Sequence, residues 1–198
     1  MAINLSKGSS INLSKIELKK SSSLTKLCVG LNWGTISKKT FFGLLNSKEN
    51  VDLDGSVALF NKTNKLLEVV FFNRLFLKNN VIIHSGDDGL DNEIISINFK
   101  KIPMNVHTIV LFLNSYKEQD FTIIPYSKIR IFEGTKRKVE NELAFFNLSK
   151  DKDFSNYTSM IMAKIINTPN GWEFKVIGEP SKTSRVSETV EEIKQKYL

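Results

Sequence analysis

Apolar and polar residues alternate in short runs along most of this chain, and clusters of Gly, Asn, Ser and Pro separate the runs. A period of two marks half-buried strands. The opening shows it twice, as Ile3-Asn4-Leu5-Ser6-Lys7 and again as Ile11-Asn12-Leu13-Ser14-Lys15, with Gly8, Ser9 and Ser10 between them. That spacing predicts a β-hairpin of two paired strands. Residues 27–33 predict a buried strand, and 40–50 a polar-flanked connection carrying Phe41, Phe42, Leu44 and Leu45. Strands follow at 52–60 and 67–72, separated by a turn over 61–64. Two β-branched runs, 81–83 and 94–97, bracket a loop. Residues 108–113 are apolar without interruption, which fits a central strand covered on both faces. Residues 129–132 and 142–148 alternate again, and 159–166 and 172–177 form a last pair joined by Thr168-Pro169-Asn170-Gly171, a strong turn signal. Only the end is helical: over 187–197, Val190, Ile193 and Tyr197 recur at helical spacing, with Ser187 as N-cap, Glu188 and Glu191 near the start and Lys194 and Lys196 near the end. The expected fold is all-β, a two-sheet β-sandwich with a short C-terminal helix, in one domain over 1–198.

Composition changes little in that picture. The chain of 198 residues is 41% hydrophobic and 25% charged, and its 14 Phe favour strands. The lone cysteine, Cys28, excludes an internal disulfide, fits a reducing compartment, and sits in an apolar run where a small buried hydrophobe is expected. Residues 1–20 hold no apolar core of a secretory leader, and no uncharged apolar run reaches the roughly 18 residues of a membrane span. A cytoplasmic location is expected. The net charge of +7 comes from dispersed lysines, with Lys136-Arg137-Lys138 the densest cluster in a turn after Gly134. No aromatic-and-basic motif accompanies it, so nucleic acid is not an expected partner.

The acidic residues are distributed less evenly. The loop between 81–83 and 94–97 carries Asp87, Asp88, Asp91 and Glu93, and no Lys or Arg lies between Lys78 and Lys100. Two unit charges about 5 Å apart repel by roughly 3 kcal/mol at an effective dielectric near 20, so a convergent cluster calls for a cation. Asp52 and Asp54, two apart on an expected strand, share a face. Oxygen ligands without Cys or His suit a hard ion, Ca2+ in particular. The other reading is a solvated tip, since Asp88-Gly89 is a favoured hairpin turn. The spacing is not that of an EF-hand. His84 and His107 lack the partners of a zinc site and are expected at strand ends with backbone partners, and Arg130 is expected in a cross-strand ion pair.

Taken in order, these pieces resemble the TerD family of tellurium-resistance and stress-response proteins. The opening L-S-K-G-S-S-I-N-L-S-K resembles its first hairpin, Val29-Gly30-Leu31-Asn32-Trp33 its V-G-L-G-W, and Val51-Asp52-Leu53-Asp54-Gly55-Ser56 its F-D-L-D-A-S. Val70-Phe71-Phe72-Asn73, His84-Ser85-Gly86-Asp87, Gln119-Asp120-Phe121, Ile129-Arg130 and the run from Gly171 to Gly178 follow in the family's order. The resemblance implies a β-sandwich whose loops hold one or two Ca2+ ions and a non-enzymatic, stress-protective role exercised through protein partners. It places the family's D-L-D on Asp52 and Asp54, its G-D-N on Gly86, Asp87 and Asp88, and its G-D-D-E on Leu90, Asp91, Asn92 and Glu93. The loop departs from the family in being shorter, with only Gly89 between those two parts, and in carrying Asn92 for a carboxylate. A Ca2+-dependent membrane-surface module is the alternative expectation.

Overall fold

A computed structural model describes residues 2–15, 25–34, 36–39, 46–49, 52–86, 91–115, 117–121, 127–148 and 156–198. One sheet, A, has the order β1 (Ile3–Asn4), β12 (Lys138–Leu148), β11 (Ser127–Thr135), β3 (Lys26–Trp33), β9 (Glu93–Asn98) and β8 (Ile82–His84). The facing sheet, B, has the order β2 (Ser10–Asn12), β14 (Gly171–Ser181), β13 (Ser159–Thr168), β10 (Thr108–Ser115), β6 (Leu53–Phe60) and β7 (Leu66–Val70). A separate antiparallel pair, β4 (Ile36–Lys39) and β5 (Asn46–Glu49), lies between β3 and β6 in the chain. The helix α1 (Val186–Lys196) closes the sequence.

Alternation assigns the faces. Leu27, Val29, Leu31 and Trp33 of β3 meet Leu53, Val57 and Leu59 of β6 in the main core between the sheets. The opposite faces differ. On β6 and β10 the alternate residues Ala58, Phe60, Val110 and Phe112 form a second core with Val190 and Ile193 of α1. The helix thus lies on the outer face of sheet B, which is why all eight residues of β10 are buried and its sequence shows no polar alternation. At full burial a Phe or Ile side chain contributes about 1.5–3 kcal/mol, so the helix-side core is a substantial part of the fold's stability. The outer face of sheet A is mostly polar, with a small cluster of Cys28, Ile94 and Phe132. Cys28 is fully buried, as expected, and burial pushes its thiol pKa up.

Three expectations need correction. The N-terminal repeat does not pair with itself: β1 runs parallel to β12, with Ile3 opposite Ala144, while β2 runs antiparallel to β14, with Ile11 opposite Phe174. Alternation sets which face a residue takes and leaves the partner open, and here the turn over Lys7 and Gly8 carries the chain from one sheet to the other. Both repeats still deliver a leucine, Leu5 and Leu13, to the main core. The connection over 40–50 ends in β5; its residues 40–45, with Phe41, Phe42, Leu44 and Leu45, lie outside the described residues. The helix begins at Val186 behind Arg185, which offers no side-chain cap, so Ser187 is already inside the first turn.

Candidate metal site

The β8–β9 hairpin presents the acidic loop at one end of the sandwich. Asp87 and Asp88 lie outside the described residues; both sides of the loop are described. On the β8 side, the Ser85 amide donates to the Ile94 carbonyl and the Ile94 amide to Ser85 Oγ, each at 2.8 Å. On the β9 side, Asn92 Oδ1 accepts from the Trp33 amide at 2.9 Å and Asp91 Oδ1 from Asn32 Nδ2 at 3.0 Å. The loop is therefore tied to β3 as well as to its own hairpin.

Glu93 points between the sheets, where its side chain is buried beside His84. Its Oε2 accepts from the Gly55 amide of the opposite sheet at 2.5 Å and lies 3.3 Å from His84 Nε2. His84 Nε2 is also 2.9 Å from the Gly55 carbonyl. In the neutral ring the Gly86 amide donates to Nδ1 at 3.0 Å, which leaves the proton on Nε2 facing both acceptors. Burial opposes a charge on this ring, but the Glu93 carboxylate, the Gly55 carbonyl and the charge of Asp54 outweigh it and hold the pKa above the ordinary histidine range. Gly55 must be glycine here, since a Cβ would stand 2.4 Å from Leu31 Cδ1 and 2.6 Å from Glu93 Oε2. His84 has the backbone partner expected of it, and bridges the sheets besides.

Asp91 turns the other way, to the outer face of sheet A. Its Oδ2 accepts from Arg130 Nε at 2.8 Å, and Arg130 Nη1 lies 3.3 Å from Glu142 Oε2. Burial opposes the charge on Arg130, but these two carboxylates hold its pKa above the usual arginine value. The expected ion pair of Arg130 is present, and Asp91 is part of it. A Cβ at Gly30 would fall 2.0 Å from Asp91 Oδ2, so the glycine of the V-G-L segment makes room for this carboxylate.

Asp52 and Asp54 do share a face, but it is the outer face of sheet B, since Leu53 and Val57 between and beyond them enter the main core. Asp52 Oδ2 lies 3.4 Å from Lys117 Nζ, and its amide donates to Gln119 Oε1 at 3.2 Å. Asp54 stands opposite Asn114 of β10. The four described candidates thus divide among the inter-sheet space and both outer faces. Among the described residues no three His, Cys, Asp or Glu side chains are grouped to hold an ion. For Ca2+ the donors are of the right kind, all oxygen, yet Asp91 and Glu93 already hold a guanidinium, an amide and an imidazole. The fit of the described residues is therefore partial, and the ion's remaining ligands would have to come from the loop between Gly86 and Asp91. Sequence reasoning missed the bridge from Glu93 to Gly55, 38 residues apart in the chain; its one visible sign is a glycine between Asp54 and Ser56 inside a strand.

The family profile described as the TerD domain matches residues 1–192. The chain belongs to the TerD family. Among its relatives, the tellurium resistance protein TerZ of Serratia marcescens is 28% identical, the match covering 89% of each chain. The stress response protein SCP2 of Bacillus subtilis is 30% identical over 96% of this chain and 98% of its own. A crystal structure of a homologue of telluride resistance protein (TerD) from Streptomyces coelicolor shares the fold, with a TM-score of 0.62 at 15% identity over 83% of this chain and 95% of that one. The TerD relatives are named for tellurium resistance and stress response, not for a reaction. Among the described residues no helix is long and apolar enough to cross a membrane.

Proposed function

We propose that this TerD protein is a Ca2+-binding, non-enzymatic component of a cytoplasmic stress response that acts through protein partners. The supporting observation is the way the acidic loop is built into the sandwich. Asp91 and Glu93, at its β9 end, are buried and fully engaged by Arg130, Asn32, His84 and Gly55. They are positioning residues in this reading: they anchor the loop that carries Asp87 and Asp88, and an ion would be held by those carboxylates with Asp52 or Asp54 of sheet B. Carboxylates that repel in the metal-free protein are the ones an ion would relieve. A partner surface is supported by the edge where β7 and β8 end the two sheets, where Phe76 is 64% exposed beside exposed Leu75 and Ile83.

The membrane alternative is less well supported. The most exposed apolar side chain of the described residues, Met104, follows Lys100 and Lys101 in the chain, but this turn follows β9 and the acidic loop precedes it. An ion in the loop and this turn would contact a surface from opposite ends of the strand.

The deciding experiment is thermal melting in chelator and in Ca2+. An ion at 100 Kd that binds only the folded state adds about 2.7 kcal/mol. At roughly 2–4 °C per kcal/mol, the midpoint rises by about 5–10 °C. Asp87→Asn removes most of that rise while leaving the chelated protein as stable or slightly more so. Asp91→Asn lowers both midpoints. Equal midpoints for the unmutated protein in chelator and millimolar Ca2+ would sink the ion-binding reading, and an unchanged Ca2+ response in Asp87→Asn would move the site elsewhere.

A further inference from the structure

The helix α1 does not cover all of the outer face of sheet B. Beside its first turns lies a pocket of about 700 Å3, with apolar walls from Leu66, Val69, Phe71, Phe72, Val186 and Val190. That volume is within the roughly 300–1,000 Å3 of small-molecule sites. Its lining includes Asn114, only 4% exposed. The orientation of the Asn114 amide is set by its neighbours. The Ser159 hydroxyl donates to the Thr183 carbonyl and the Thr189 hydroxyl to the Arg185 carbonyl, so each offers Asn114 only an acceptor. Nδ2 accordingly donates to Ser159 Oγ at 2.6 Å and to Thr189 Oγ1 at 2.9 Å. Turning the amide over would leave Oδ1 facing oxygens with no proton to give. Oδ1 therefore has no hydrogen-bond partner among the described residues. A buried amide oxygen left this way is costly and calls for a donor that the described residues do not supply.

The surroundings define that donor. Asp54 stands directly across from Asn114 in the β6–β10 register, so a carboxylate lies next to the orphaned oxygen on the same face. Glu118, just beyond the end of β10, adds a second carboxylate to the lining. Glu191 is engaged by Lys194 at 2.9 Å, and Arg185 is the cation among the described lining residues. Acceptors and negative charge at the floor, with aliphatic and aromatic walls above, suit a positive donor on an apolar body. We infer that this pocket binds a small organic ammonium compound, its N–H groups donated to Asn114 Oδ1 and Asp54 and its apolar body held between α1 and β7.

Asp54 is also a candidate ligand of the proposed Ca2+ site, so the test is run in chelator, where ammonium binding is read without the ion and the two proposals are judged by different measurements. Hexylammonium, hexanol and hexanoate share one body and differ in the head group, and calorimetry or ligand-observed NMR reads their binding. Hexylammonium is expected to bind saturably, at least tenfold more tightly than hexanol, with hexanoate weakest. Asn114→Leu and, separately, Val69→Trp, which fills a wall, each weaken hexylammonium at least tenfold. Val69→Trp keeps the test valid if the Asn114 variant does not fold, which melting curves show. No saturable binding, equal affinity for the three probes, tightest binding of hexanoate, or unchanged affinity in Val69→Trp overturns the proposal.

Discussion

Asp91 and Asn114 are both buried polar side chains on outer sheet faces, and they are treated in opposite ways. Asp91 has a hydrogen bond to each carboxylate oxygen, from Asn32 and Arg130. Asn114 has two good bonds from its nitrogen and none to its oxygen. The difference follows from the covering. The outer face of sheet A keeps long polar side chains that can reach back to a buried charge, whereas sheet B is roofed by α1, and the hydroxyls beside Asn114, Thr189 of α1 and Ser159 of β13, are already committed to carbonyls. Asp91, fully supplied, holds structure in place, and Asn114 is left one donor short.

The largest effect comes from stripping Asp91 of its partner. Arg130→Ala leaves a carboxylate whose side chain is only 2% exposed. Breaking a buried pair costs about 3–5 kcal/mol, and the low end applies because Arg130 keeps some contact with water. At roughly 2–4 °C per kcal/mol, the midpoint falls by about 6–12 °C. Adding Asp91→Asn to Arg130→Ala recovers part of the loss, since the unpaired charge goes with it. No fall in the single variant would mean the pair is a surface contact.

Asn114→Leu, the corresponding change on sheet B, has a much smaller effect. It removes two hydrogen bonds but also an oxygen that had none, and Ser159 and Thr189 keep their carbonyl partners. The net change is expected within about 1 kcal/mol, because deleting an undersupplied polar group can be nearly neutral. A loss as large as that of Arg130→Ala would erase the contrast between the two groups.

Much of this was legible in the sequence and the rest had physical reasons to be hidden. Alternation set the strands, and the uninterrupted run at 108–113 marked β10 as central, with β6 and β13 on either side. Pairing was not legible at the N-terminus, because period two specifies a face and leaves the partner strand open. The acidic residues were visible as a group, but the same alternation sends Glu93 inward and Asp54 outward, and sequence proximity of Asp91 to Glu93 says nothing of the opposite directions they take. Asn114 was passed over because it ends an apolar run and sits 75 residues from Thr189 and 45 from Ser159, the two side chains that fix its orientation.

The smallest effect concerns pH and His84. Its pKa in the folded protein lies above the ordinary histidine value, so the folded state holds the proton more tightly than the unfolded chain does. The stability this contributes is fully present below the ordinary histidine range, about pH 6.5, and is lost as pH rises through the higher folded-state value. Gaining the proton has an opposing cost, because Nδ1 must release the Gly86 amide that it accepts in the neutral ring. That cost keeps the effect below those of Arg130→Ala. The expected outcome is a melting midpoint that drifts down from mildly acidic to mildly basic pH in the unmutated protein, and a flatter profile in His84→Gln, which retains a donor for Gly55 and Glu93. Parallel profiles for the two proteins would show that the Glu93–His84 contact carries no proton-linked stability, and that the imidazole serves only as a neutral bridge between the sheets.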